Sequence, residues 1–468
     1  MSRVGRVAKN SLILGLQQVA VNLLSVFVVG YIARQLGKID YGVFSLAFTF
    51  TVFFSFIGHL GLRSLTIREV AKEKENSSEY LGKIIPARLI LIALMTVVIP
   101  LAAILLNYDI KIVAIVAIAA LAAMFEQLSR IINDVFQAYE EMGKVASRDI
   151  IVRLFTGGAS IAVLFYGYGL VAVSWIYVVG AFIGLVYNVV LFDKRFSWPR
   201  MRIDYIFIKK NLQEGVSFLI LGIASAMYTQ IDVFIISKLL NIESVGIYNA
   251  SASLFSRLGF IADAIATASF PSIAQLYWND KRDASEVLAK SIIGVIIFAF
   301  PIAVGGFILS DDIIGVIYGK NYIESSVVFK VLILSLPFLF ISMQLNYALG
   351  AIKLQKTVLY IVASIVVFNI ISTVILVNIF GLVGAAISKY FSELLGFLIF
   401  ICISCKYFKF DGVLRSIYIL VFPIFTMVVT IFLIKDFGLI FTVIGGAFSY
   451  GVILSLFGGM KYIRALKK

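Results

Sequence analysis

Long apolar runs alternate along the whole chain with short breaks made of charges, glycine and proline. A helix of about 20 mainly apolar residues crosses a hydrocarbon core of about 30 Å, with its backbone hydrogen bonds closed inside the segment. The runs are too long for strands of a membrane barrel. The breaks predict about fourteen such spans. They centre near Asn22, Phe53, Ala93, Met124, Ser160, Ala181, Ala226, Phe255, Phe300, Ile341, Phe368, Gly396, Met427 and Ala447. The fourth ends in a polar stretch, and the eighth contains Arg257 and Asp263.

Composition agrees with this pattern: 61% of the 468 residues are hydrophobic, 14% are charged, and the mean hydropathy is +1.02. Soluble domains sit nearer half apolar and a quarter charged, so the chain reads as an integral membrane protein. The first run, 11–33, follows Arg3, Arg6 and Lys9 and so resembles a signal peptide. At about 23 residues it exceeds a signal h-region of roughly 7 to 15, and it is expected to stay as an uncleaved first span.

Lys and Arg collect in alternate connections, roughly 29 on one side against about 6 on the other, which places both termini in the cytoplasm of a multi-pass cell-membrane protein. This spread over short loops also accounts for the net charge of +14 without a nucleic-acid partner. No outward connection exceeds about 20 residues, which leaves no room for a soluble catalytic domain. No phosphate-cradling GxxxxGK[ST] is present, no Ser/His/Asp set converges, and no cofactor is expected. Cys402 and Cys405 are too few to fill a zinc site and read as inert thiols.

The chain repeats. "RQLGKIDYGVFSLA" from Arg34 matches "KLLNIESVGIYNAS" from Lys238, "LGK" at Leu81 matches "LAK" at Leu288, and "GLVAV" at Gly169 matches "GLVGA" at Gly381. The offset is nearly constant, so the chain holds two homologous halves. An even number of spans between equivalent elements makes them parallel repeats about an axis along the membrane normal. The expected division is an N-lobe over 1–195, an amphipathic cytoplasmic linker over 196–213, a C-lobe over 214–410, and an appended helix pair with a basic tail over 411–468.

These same words, "GYIARQLGKIDYGVFSLAFTF", "LGLRSLTIREVA", "TQIDVFIISKLLNIESVGIYNAS" and "FGLVGAAIS", resemble the polysaccharide and oligosaccharide-lipid flippases of the multidrug/oligosaccharidyl-lipid/polysaccharide exporter superfamily. The resemblance runs along essentially the whole chain. It implies an all-α, MATE-like fold of two six-helix lobes plus an extra helix pair. It implies alternating access to a central cavity, and a polyprenyl-linked sugar carried to the outer leaflet for cell-surface glycan assembly. Glycan-assembly enzymes are the partners it suggests. Two alternatives stay open: a cation-coupled exporter of small drug-like molecules, and a membrane enzyme acting on lipid-linked sugars.

A charge inside a span costs several kcal/mol unless it faces protein or water, so such charges mark candidate sites. Glu126, Arg130 and Asp134 follow at i, i+4, i+8 and share one stripe of the fourth span, as an intrahelical triad or as a cavity lining. Asn249, Ser253 and Arg257 make a second stripe on the eighth span, and Arg257 is the stronger candidate for an anionic headgroup, with Arg130 after it. The resemblance implies cavity arginines in the first, second and eighth spans. The first here offers Gln17, Gln18 and Asn22 instead, and the second has His59 and Arg63 near its end. Asp232 stands where the resemblance implies an acid that couples transport to H+ or Na+, with Asp263 as its companion, and Glu126 and Asp134 are further candidates for exchanging that ion. Lys389 and Glu393 read as an i, i+4 ion pair, and Gln344, Asn346 and Asn369 as hydrogen bonds between helices.

Overall fold

The computed structural model describes residues 3–410 and 412–456, and of these the side chains outside 3–24, 217, 218, 221 and 414–416. The described residues are α-helical throughout and contain no strand. The chain divides into two compact units, Met1–Ser237 and Lys238–Lys468.

The first unit begins with α1 (Arg3–Phe54), which breaks at Gly37, where φ of 75° and ψ of 173° leave the helical region for a conformation that glycine tolerates best. After a 3-10 turn at Ser55–Gly58 come α2 (Leu62–Lys72), α3 (Ser77–Leu105), α4 (Ile110–Ala138), α5 (Met142–Phe165), α6 (Leu170–Asp193) and α7 (Tyr205–Leu239). The boundary between the units falls in the last turn of α7.

The second unit contains α8 (Ile242–Leu276), α9 (Lys281–Ile308), α10 (Ser310–Tyr318), α11 (Glu324–Leu334), α12 (Leu336–Ala351), α13 (Gln355–Phe380), α14 (Leu382–Ser404), α15 (Val413–Ile434) and α16 (Leu439–Leu454). Polar caps start two of them. Asn241 accepts from the Ser244 N–H ahead of α8, and Asp280 accepts from Arg282 and Asp283 N–H ahead of α9.

Among the described residues eight helices are long and apolar enough to cross a membrane, or nine if α11 and α12, which meet at 43°, make one broken span. Pro337 near the start of α12 accounts for that bend, because it has no N–H to carry a helix through. The fourteen spans read from hydropathy also include the one near Asn22, whose side chain lies outside the described residues, the shorter α16, and α5, α7 and α8, which have 24, 35 and 35 residues but carry the charged and polar faces described below.

The repeat read from the sequence coincides with the ends of elements. Gly37 and Asn241, equivalent in the aligned words, both interrupt helix, and Gly169 and Gly381 immediately precede α6 and α14. Leu81 and Leu288 lie near the starts of α3 and α9.

The 196–213 stretch packs on the first unit. Arg202 N–H donates to Gly82 O at 2.9 Å, and the Tyr80 hydroxyl donates to Asn211 Oδ1 at 3.1 Å. Just beyond it, Arg68 reaches Glu214 at 2.9 Å. A Cβ on Gly61 would stand 2.2 Å from Gly215 O, so the turn ahead of α2 and the start of α7 touch backbone to backbone. Beneath this seam lies an apolar cluster that includes Leu62, Leu65, Ile84, Ile131 and Phe136.

Candidate functional site

In the first unit the charges of α4 are shared with other helices. Arg130 Nε donates to Glu126 Oε1 at 3.1 Å, the i, i+4 pair expected from spacing. Asp134 does not join them. Its two oxygens take Arg88 Nη1 of α3 at 2.6 Å and Arg63 Nε of α2 at 3.1 Å, and neither Asp134 nor Arg88 is exposed to solvent. Eight residues of helix drift by about 80°, enough to turn Asp134 onto the face that packs against α2 and α3.

Glu126 has a second partner, Arg148 of α5, whose Nη1 lies 3.2 Å from Oε1 and whose Nη2 contacts Oε2. Arg148 also reaches Asp149 at 3.0 Å. Space for its guanidinium comes from α6, because a Cβ on Gly184 would stand 2.7 Å from Arg148 Nε. Likewise, a Cβ on Gly180 would stand 2.3 Å from Thr156 Cγ2. This is a Gly-x-x-x-Gly approach of two helices. Asn188 completes the seam, donating to Ser129 O at 3.0 Å and to Asn133 Oδ1 at 2.9 Å across α4 and α6.

Glu126, Arg130 and Arg148 line a cavity of about 550 Å³ formed by α1, α4, α5 and α6. Its charged wall consists of Glu126, Arg130, Arg148, Asp149 and Arg153, and Phe48 and Tyr177 supply its aromatic part. The two rings sit edge to face at 4.9 Å. Three guanidiniums face two carboxylates, so the wall carries an excess of positive charge. Arg130 is the accessible part of the Glu126 cluster, with a side chain 41% exposed against 4% for Arg148. Arg88, Arg148 and Arg153 did not emerge from the sequence as site residues. The latter two stood in a segment read as a loop, whereas α5 starts at Met142 and puts Arg153 about 16 Å into the helix.

His59 lies just past the apolar segment Ser25–Gly58. Its Nδ1 accepts the Gly61 N–H at 3.3 Å, so that nitrogen carries no proton. Burial, and then the nearby Arg88, Arg63 and Arg130, push its pKa down to about 4.

In the second unit, Arg257 donates to Ser253 O of its own helix at 2.8 Å and has no carboxylate partner among the described residues. Ser253 Oγ lies 2.9 Å from the Tyr318 hydroxyl, and Asn249 Nδ2 is buried without a hydrogen-bond acceptor among the described residues. Asp263 accepts from the Tyr347 hydroxyl at 2.6 Å. Gln344 joins α8 and α9 to α12, donating to Ala262 O and accepting from Ser291, both at 2.8 Å. Asn369 donates to Ser392 at 3.2 Å. Lys389 and Glu393 are both buried on α14 with Nζ and Oε1 3.9 Å apart. Asp232, on α7 in the first unit, is 4% exposed. The side chains of Gln17, Gln18 and Asn22 lie outside the described residues. No group of three or more potential metal ligands occurs among the described residues.

The fold and the buried charges define a polytopic, all-helical membrane protein. Residues 7–277 match the polysaccharide biosynthesis protein family model, and 219–375 match the MatE model. The chain belongs to the polysaccharide biosynthesis protein family, as its resemblance suggested. A Haloferax volcanii protein named as the low-salt glycan biosynthesis flippase Agl15 is 22% identical over 77% of this chain and 76% of its own. A Shigella flexneri protein named as an O-antigen transporter is 23% identical over 78% of this chain and 90% of its own. Among solved structures, the lipid II flippase MurJ superposes with a TM-score of 0.80 at 17% identity, covering 97% of this chain and 99% of that one. A multidrug resistance MATE family transporter superposes at 0.69 with 12% identity, covering 84% and 98%. At these identities the structural likeness speaks for the fold alone.

Proposed function

We propose that the protein is an alternating-access flippase that moves a polyprenyl-linked oligosaccharide from the cytoplasmic to the outer leaflet of the cell membrane, with both termini in the cytoplasm. Family membership and the named relatives support a flippase. The observation that carries the substrate class is the charge of the first-unit cavity, where Arg130, Arg148 and Arg153 outnumber Glu126 and Asp149. A surplus guanidinium offers a planar fork to phosphate, and the low dielectric of the site strengthens that hydrogen bond. In this reading Arg130 and Arg257 hold the headgroup. Asn249, Ser253, Gln18 and Asn22 contact sugars, and Asp232 or Asp263 exchanges the coupling ion. The lobes, 1–195 and 214–410 joined through 196–213, rock about the substrate.

The MATE-type alternative, a cation exporter, calls for an acid-dominated aromatic pocket. Phe48 and Tyr177 fit it, but the charge balance of the cavity does not. The deciding experiment reconstitutes the protein with a fluorescent polyprenyl-diphosphate sugar and follows leaflet transfer. Wild type should transfer it, and Arg130→Ala and Arg257→Ala should each slow transfer at least about tenfold, the equivalent of one charged hydrogen bond. No transfer by wild type rejects the function, and unimpaired variants reject the sites.

A further inference from the structure

A cavity of the second unit, about 840 Å³, lies apart from the residues assigned above, where the first turns of α9 meet the connection from α14 to α15. Five cations line it: Lys281, Arg282, Lys290, Lys406 and Lys409. Among the described residues one carboxylate, Glu286, faces them, and it is held by Lys290 at 3.1 Å. Of the neighbouring acids, Asp280 is engaged in capping α9, Asp283 does not line the cavity, and Asp411 lies outside the described residues. Lys281, Arg282, Lys406 and Lys409 have no carboxylate partner among the described residues. Gathering four like charges around one hollow is unfavourable unless an anion joins them.

The walls are built and not merely juxtaposed. Lys409 N–H donates to Ser285 Oγ at 3.1 Å, and the Phe408 and Tyr277 rings lie 5.4 Å apart, fixing the connection to α9 and to the end of α8. Lys281 Nζ stands 5.3 Å from the centroid of the Tyr277 ring. Ala289 and Ile293 of α9 supply an apolar side. The cavity also lies at the level where apolar helices end. Ser404 is the last residue of α14, α15 begins at Val413, and the exposed Trp278 stands beside Tyr277 as interfacial tryptophans do. Phosphates of membrane lipids lie at this level.

We infer that this basic cavity binds the phosphate headgroup of a resident anionic phospholipid, separate from the transported substrate. A phosphodiester satisfies the cations, and the glycerol and acyl chains continue along the apolar side of α9. A polar cavity this size fits a headgroup, and clustered Lys and Arg at the membrane surface contribute about 1 kcal/mol each toward an anionic lipid, or roughly fivefold in affinity per cation.

The test is native mass spectrometry of the full chain in detergent, titrated with phosphatidylglycerol, phosphatidylcholine or inorganic phosphate. Wild type should retain phosphatidylglycerol well above phosphatidylcholine, and inorganic phosphate should neither bind nor displace it. The combined Lys281→Ala, Lys406→Ala and Lys409→Ala variant should fall to the phosphatidylcholine level, while the corresponding Lys→Arg variant retains the lipid. Lys209→Ala with Lys210→Ala, which removes two exposed cations from α7, should leave retention unchanged. Should the triple alanine variant fail to fold, the single Lys406→Glu reversal is expected to lower retention at least about fivefold. Equal retention by wild type and the cavity variants, or equal loss in the α7 control, overturns the site. Displacement by inorganic phosphate overturns the lipid as its ligand.

Discussion

Asp134 of α4 accepts a 2.6 Å hydrogen bond from Arg88 of α3, and neither side chain is reached by solvent. The second carboxylate oxygen takes Arg63, so a single acid ties α2, α3 and α4 together. Removing one partner of such a pair leaves an uncompensated buried charge, a loss of about 3 to 5 kcal/mol, whereas replacing both by apolar groups is often close to neutral. Arg88→Met and Asp134→Leu should each lower the melting temperature sharply in detergent, and the double variant should recover most of the loss. A double variant as unstable as the singles would show that Arg63 or the surrounding shape, and not the pair, sets the energy.

The Gly180–Gly184 approach makes a different prediction. Gly184→Ala puts a methyl where Arg148 Nε now lies, so Arg148 must move away from Glu126. Overpacking of this kind costs about 1 to 3 kcal/mol. It should also slow leaflet transfer, because Glu126 and Arg130 then lose their buttress. Gly158 is the control. It is helical, and a methyl added there would meet nothing within 4 Å, so Gly158→Ala should be neutral or stabilise by up to about 1 kcal/mol. Thermal melts and transfer rates of the two variants check both statements.

How far these features could be read from the chain depends on the reach of each interaction. The helix breaks at Gly37 and Asn241 and the pairing of Glu126 with Arg130 are local, and repeat register or i, i+4 spacing exposes them. Arg88 and Arg148 find their acids 46 and 22 residues away on other helices, and no periodicity links two helices. Signals were nonetheless present. A lone Arg in the apolar stretch "KIIPARLILIALM" requires a buried acid, and Gly180 and Gly184, four apart, mark where a neighbour comes close. The strapping of 196–213 onto the first unit rests on backbone contacts of Gly82 with Arg200 and Arg202, which composition does not encode.

His59 gives a pH prediction with a definite sign. Its folded pKa of about 4 lies below the ordinary value of 6.5, so the unfolded chain binds the proton more readily. The contribution is complete above pH 6.5 and declines as pH falls toward 4, on the order of 3 kcal/mol in all. Melting temperature followed from pH 8 to pH 4 should fall more for wild type than for His59→Gln. Identical profiles would mean that His59 is accessible and titrates normally.

The coupling reading concentrates on Asp232, which is 4% exposed, against Asp263, which is exposed and held by Tyr347. An ion that binds Asp232 more tightly in one state than in the other favours that state of the transporter. Asparagine keeps the shape and removes the charge. Under an imposed proton or sodium gradient, Asp232→Asn should transfer substrate at the gradient-free rate, at least about tenfold below driven wild type. Asp263→Asn, in which the amide oxygen can still accept from the Tyr347 hydroxyl, should keep most of the gradient response. The two variants are compared in the same vesicles with the gradient on and collapsed. A gradient response that survives in Asp232→Asn and disappears in Asp263→Asn transfers the role to the second acid.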